Sequence, residues 1–199
     1  ECMDDGDSLL KNERDIDFER GSIFGRWNQV FAVFVPDSMD DSLVEGYFDS
    51  ACNFYFDELK KKGDVFPILS SEDVRGHSRG VMLAMESSRG VGSLERLEKL
   101  YERGLRLITL TWNHKNRAAG GCDEGGGLTD WGRELVSKME KLGIVTDVSH
   151  LSDRSFYDLC EFSDAPFIAS HSDARAVHNE VRSLTDEQIK IIIERGGLI

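Results

Sequence analysis

The chain has 199 residues and carries 37 Asp and Glu against 24 Lys and Arg, a formal net charge of −13. So acidic a surface excludes nucleic acid and anionic membranes as partners, because both demand a basic face; its plainest use is solubility. With 40% hydrophobic residues, among them 11 Phe and 3 Trp, the chain can build a sizeable core, and residues 1–199 read as a single domain.

In chain order, residues 1–28 hold no convincing apolar strand and read as loop and short helix. "QVFAVFV" (29–35) has strand length, and 40–63 follow with apolar residues at helical spacing, Ser42 to Glu45 resembling a capping box. "EDVRGHSRG" reads as a polar approach to the next apolar run, "VMLAMES" (81–87), and "SLERLEKLYERG" as a helix stopped at Gly104. "LRLITLTW" (105–112) precedes a Gly-rich loop, 113–127, whose "GGCDEGGG" reads as a moving rim segment or as solvent-exposed slack. A helix over 129–143 leads to "IVTDVSH" (144–150), a helix over 153–162, "PFIASHS" (166–172) and a helix over 185–197. The closing "GGLI" looks like the opening of one more strand.

Alternating strands and helices, with strands apolar on both faces, indicate a parallel sheet covered by helices. There is no GxGxxG after a first strand and no GxxxxGK[ST], so nucleotide-type open sheets lack their usual signature. The polar residues of interest sit at strand C-terminal ends, as in a (β/α)8 TIM barrel. The six strand candidates fall short of eight, so the expected fold is an α/β (β/α)8 TIM barrel, incomplete in this chain, lacking its first strand and its last one or two. Such a barrel leaves strand edges unpaired, which favours homo-oligomer formation. No apolar run approaches the roughly 18 residues of a membrane span, and no signal peptide pattern occurs. Cys2, Cys52, Cys122 and Cys160 form no CxxC pair; reduced thiols and a cytoplasmic location are expected.

Two successive strands end in histidine, His150 and His171, and an earlier one ends in Glu86. Imidazoles and a carboxylate projecting from neighbouring strand ends onto one rim form a metal-ligand set, with zinc a usual choice. A lone strand-end histidine is more often just hydrogen-bonded; three matching ends favour the metal. His77, His114 and His178 read as solvated or surface residues. Arg182, eleven residues after His171, could grip a carboxylate in two-pronged fashion or be an ordinary surface arginine.

"DVSHLS", "IASHSDARAV" with "VRSLTDEQI", "VMLAMES", and "ITLTWNHKN" followed by "GLTDWGRELVSKMEKLGI" together resemble the membrane (renal-type) dipeptidase family, especially its bacterial members. "GDSLLKNERDIDFER" is similar to the family's segment after its first strand, so the resemblance covers nearly the whole chain. It implies a zinc-dependent dipeptidase with a binuclear metal centre, two zinc ions per complete subunit, and dipeptides as substrate. Glu86 then matches the carboxylate bridging both zincs, His150 and His171 the histidines of one zinc, and Arg182 the arginine that grips the substrate's terminal carboxylate, with Ser183 where Asn is common. Trp112 stands where the family often has a substrate-contacting histidine. The His-x-Asp pair that closes the family's first strand has no counterpart in residues 1–28, and its catalytic Asp is expected beyond Ile199, so the chain alone is expected to be inactive. A related barrel amidohydrolase acting on another amide or a lactone, and a catalytically silent scaffold, are the alternatives.

Overall fold

A computed structural model describes residues 2–199. Two four-residue helices, α1 (Cys2–Asp5) and α2 (Phe18–Gly21), precede β1 (Trp27–Phe34) and the long α3 (Asp41–Lys62). There follow β2 (Phe66–Pro67), α4 (Ser71–Gly76), β3 (Arg79–Glu86), a 3-10 turn (Ser88–Val91), α5 (Leu94–Glu102) and β4 (Leu105–Thr109). The chain continues through α6 (Asp130–Leu142), β5 (Val145–Asp147), α7 (Asp153–Phe162) and α8 (Asp186–Glu194).

All pairings of these strands are parallel, in the order β1-β3-β4-β5. β2 pairs with the first part of β3, at Gly80 and Val81, and β4 pairs from Leu83 onward. Beyond β5, Ile168 bridges in parallel to Asp147 and to Leu198. Each successive unit therefore adds to the same edge, and the order never reverses as it does in a doubly wound sheet. That is the progression of a (β/α) barrel, of which this chain carries part. The expected strand over 166–172 is reduced to bridge pairing, because the chain bends into the site immediately after Ala169.

β3 and β4 are buried on both faces, with Val81, Leu83, Met85, Leu105 and Ile108 in the core. β1 instead alternates, and Val30 and Ala32 are exposed although they are apolar: among the described residues it pairs only with β3. The helices cover the sheet through apolar residues at helical spacing: Val44, Phe48, Cys52, Tyr55 and Leu59 on α3, Leu97 and Leu100 on α5, Leu135 and Met139 on α6.

Caps fix where each helix begins. Ser93, Thr129, Ser152 and Thr185 accept from the backbone N–H three residues on, and Gln188 completes a capping box with Thr185. On α3 the cap is Asp40, not Ser42; Asp40 accepts from the Ser42 N–H at 2.9 Å and from its hydroxyl. α4 lies in what the sequence presents as a polar approach; its signal is the Ser70–Asp73 capping box. Glu58, buried on α3, accepts from the Leu9 N–H at 2.8 Å and from the Ser8 hydroxyl, pinning the N-terminal segment to the helix.

Candidate metal centre

Glu86 closes β3, His150 follows β5 by three residues, and His171 follows the Ile168 bridge by three. The Nε2 atoms of His150 and His171 lie 3.2 and 3.4 Å from Glu86 Oε1 and 2.8 Å from each other. One donor atom from each residue falls within 4.8 Å of the others. His150 is buried, Glu86 mostly so, and the His171 side chain keeps 42% of its exposure. Burial pushes the Glu86 carboxyl up, but when the two imidazoles are protonated their hydrogen bonds and charges outweigh it and bring the group down to about 2.

The backbone is bent to bring these groups together. Among the described residues, Ser87 and His150 are the non-glycine residues at positive φ, 77° and 69°. Strain at such positions is held in place by the surrounding structure, and here the Thr111 hydroxyl (3.2 Å) and the Cys122 N–H (2.9 Å) both donate to the His150 carbonyl.

Behind each imidazole stands a polar partner that the sequence reading missed. Asn113 Oδ1 lies 2.8 Å from His150 Nδ1, and Ser170 Oγ lies 2.7 Å from His171 Nδ1. Ser170 Oγ also lies 2.5 Å from Asp147 Oδ2, and Asp147 is fully buried. For Asp147 and Ser170 the sequence signal is small polar side chains interleaved with the histidines in "TDVSH" and "IASH"; Asn113 lies in neither segment.

An amide oxygen can only accept, so Asn113 takes the Nδ1–H of His150 and leaves Nε2 as a lone pair directed at Glu86. Lone pairs and a carboxylate that converge call for a cation between them. A tetrahedral zinc, with ligand distances of about 2.0–2.1 Å, spaces its donor atoms about 3.3 Å apart. The separations of 3.2 and 3.4 Å match that spacing, and the 2.8 Å between the nitrogens is somewhat tighter. The three residues fit a metal.

Arg182 stands on the rim and donates from Nη2 to the His171 carbonyl at 2.6 Å. The loop carrying it, 172–184, is tied down by Arg175. That side chain makes two 2.8 Å bonds to Asp153 and donates to the Ser183 carbonyl at 2.9 Å and the Val181 carbonyl at 3.1 Å. Trp112 packs edge-on against Phe34, ring centroids 4.8 Å apart, with its centroid 6.3 Å from that of His150. With Glu86 it lines an open cavity of ≈ 680 Å³ that runs along β1.

His114 lies at the rim with its Nδ1 3.7 Å from Asp37, His178 is exposed, and His77 is half-buried and stacked on Phe66 at 4.1 Å. The glycine cluster is not slack. Gly120 donates to the Gly127 carbonyl and the Ser155 hydroxyl, and a Cβ on Gly120 would stand 2.1 Å from the Gly125 carbonyl oxygen.

Among the described residues, no helix is long and apolar enough to cross a membrane. The chain is 31% identical over 138 residues to an uncharacterised protein in the PQQ-III 3′ region of Acinetobacter calcoaceticus, covering 64% of this chain and 44% of that protein. It is 32% identical over 144 residues to an uncharacterised protein in the pqqA 5′ region of Klebsiella pneumoniae, covering 66% and 53%. The chain thus spans about half the length of these curated relatives.

A crystal structure of the metallopeptidase dipeptidase AC superposes with a TM-score of 0.85 at 25% identity, over 96% of this chain and 65% of that one. The metallopeptidase of Rhodobacter sphaeroides, solved with a phosphinate mimic of the dipeptide L-Ala-D-Ala, has the same fold, with a TM-score of 0.80 at 24% identity over 96% and 66%. The model of the membrane dipeptidase family, peptidase family M19, matches residues 11–199, and the chain belongs to that family.

Proposed function

We propose that this protein, in its full-length form, is a zinc-dependent dipeptidase in which Glu86, His150 and His171 serve as metal ligands and Arg182 holds the substrate's terminal carboxylate. Residues 1–199 then form a single partial hydrolase barrel domain, with two zinc ions per complete subunit and a cytoplasmic location consistent with four free cysteines. The observation that carries the reading is the meeting of two imidazole Nε2 atoms on one carboxylate oxygen at 3.2 and 3.4 Å, at strand ends of a family M19 chain.

Zinc held there would supply a Lewis acid for the scissile carbonyl and an activated water at neutral pH. The chain's own residues supply orientation. Glu86 presents its Oε1 to both imidazole Nε2 atoms, at 3.2 and 3.4 Å, and so offers a carboxylate ligand at the centre. Arg182 spends one donor on the His171 carbonyl, and no ion pair engages its guanidinium among the described residues. A carboxylate gripped there lies a fixed distance from the metal ligands, so a longer peptide would misplace its scissile bond. Trp112 and Phe34 give the adjoining cavity an apolar wall for a side chain.

The test uses the full-length protein loaded with zinc. Arg182→Ala is expected to raise KM for dipeptides far more than for analogues whose carboxylate is amidated. Equal losses on both substrates would remove the clamp, and cleavage of lactones or simple amides in preference to dipeptides would favour the related amidohydrolase.

A further inference from the structure

Asp147 is a fully buried acid that the reading above leaves without a task. Among the described residues it has no cationic partner. Its Oδ1 accepts from the backbone N–H groups of Ser149 (3.0 Å) and Ser170 (3.1 Å), and its Oδ2 accepts from the Thr109 hydroxyl (2.8 Å) and the Ser170 hydroxyl (2.5 Å). Burying a carboxylate costs free energy that these four bonds offset. What distinguishes this one is where its chain of bonds ends: Ser170 Oγ touches Nδ1 of His171 at 2.7 Å.

We propose that Asp147 and Ser170 are positioning residues that fix the ring hydrogen of His171 on Nδ1 and so reserve Nε2 for the metal; this rests on the zinc reading above. A serine hydroxyl has one hydrogen, and a carboxylate has only acceptors. The Ser170 hydrogen is therefore committed to Asp147 Oδ2, and what Ser170 can offer His171 is a lone pair. That lone pair selects the form of the ring with hydrogen on Nδ1, whose Nε2 faces Glu86 Oε1 at 3.4 Å. The effect concerns where the hydrogen sits, not how many the ring carries. Outer partners of this kind orient metal-binding histidines generally; here a serine stands between carboxylate and imidazole, as Asn113 alone does for His150.

The geometry also says what an isosteric change would do. In Asp147→Asn the two backbone N–H groups hold the amide oxygen at the Oδ1 position, which leaves the NH2 facing Ser170. Ser170 must then accept, its hydrogen turns toward His171 Nδ1, and the ring hydrogen is driven to Nε2, where it blocks the metal. Removing the serine as well removes that push.

The test is zinc affinity of the full-length protein, read by competition with a chromophoric chelator, with melting curves to confirm folding. Ser170→Ala, a mild change at an exposed residue, is expected to weaken binding about tenfold, and Ser170→Thr to keep it near wild type. Asp147→Asn is expected to weaken it by more, up to about 100-fold, while the double variant returns to the level of Ser170→Ala alone. A merely structural Asp147 would leave the double variant at least as weak as Asp147→Asn. That result, or Ser170→Ala binding zinc like wild type, overturns the proposal whether or not Asp147→Asn folds. A wild-type protein that takes up no zinc removes the metal reading itself, and this assignment with it.

Discussion

Arg175→Ala tests how the loop that carries Arg182 is held. The arginine makes a two-pronged pair with Asp153 and donates to the carbonyls of Ser183 and Val181, while its side chain keeps 25% exposure and that of Asp153 49%. A pair so open to solvent contributes about 1 kcal/mol at most. Each carbonyl bond from a charged donor adds about 1 kcal/mol. The alanine variant should therefore lose about 2–3 kcal/mol of local stability, which is roughly a 30- to 150-fold rise in the loop's opening constant. The readout is hydrogen exchange at two amides inside the loop: Arg175 N, bonded to the Leu184 carbonyl at 2.7 Å, and Leu184 N, bonded to the Asp173 carbonyl at 2.8 Å. Both should exchange faster by that factor, while amides in β3 and β4 hold their rates, because local opening is independent of the core. Lysine at 175 should not rescue, since one ammonium cannot span an acid and two carbonyls. Unchanged exchange at Arg175 and Leu184, or acceleration shared equally by the core strands, would show that Arg175 does not anchor the loop.

Other outcomes follow from the same geometry. His150→Ala in the intact enzyme is expected to lower bound zinc by about one per chain; metal analysis giving the wild-type ratio would remove that ligand. Gly120→Ala forces a Cβ to 2.1 Å from the Gly125 carbonyl oxygen. It should cost about 1–3 kcal/mol in denaturant unfolding, and a neutral result would mean that the 113–127 loop yields easily. Hydrogen bonds from Arg175, then from Gln188, outweigh burial and hold the Asp153 carboxyl below its usual range. A lowered folded value stabilises fully above the ordinary Asp value of about 3.9 and is lost as pH falls through the folded one. Acid scans of Leu184 exchange should therefore show the loop loosening below about pH 4, and Asp153→Asn should abolish that dependence.

The architecture was readable because each strand–helix unit announces itself. Apolar runs of strand length alternate with helices that end where Gly63 and Gly143 take left-handed φ. What stayed hidden depended on contacts distant in sequence. Asp40 and Ser42 are both competent caps, and only the entry path of the chain decides for Asp40. The six residues of α4 are too short for a periodic pattern and too polar to advertise a buried face. Around the candidate centre, the titrating strand-end residues stand out by chemistry alone. Asp147, Ser170 and Asn113 do not, because their significance lies in which atom they touch: Asn113 reaches His150 across 37 positions and Asp147 reaches Ser170 across 23. The glycines of 120–127 misled for the same reason, since close backbone packing and slack have identical composition.

The two histidines differ in how much replacement their backbones tolerate. His150 turns the chain left-handed at φ 69°, whereas His171 sits at ordinary negative φ. Asparagine and aspartate enter the left-handed region with little penalty, while β-branched residues do so only under severe strain. Position 150 therefore admits asparagine or aspartate on backbone grounds and resists valine, isoleucine and threonine, a constraint that position 171 does not impose.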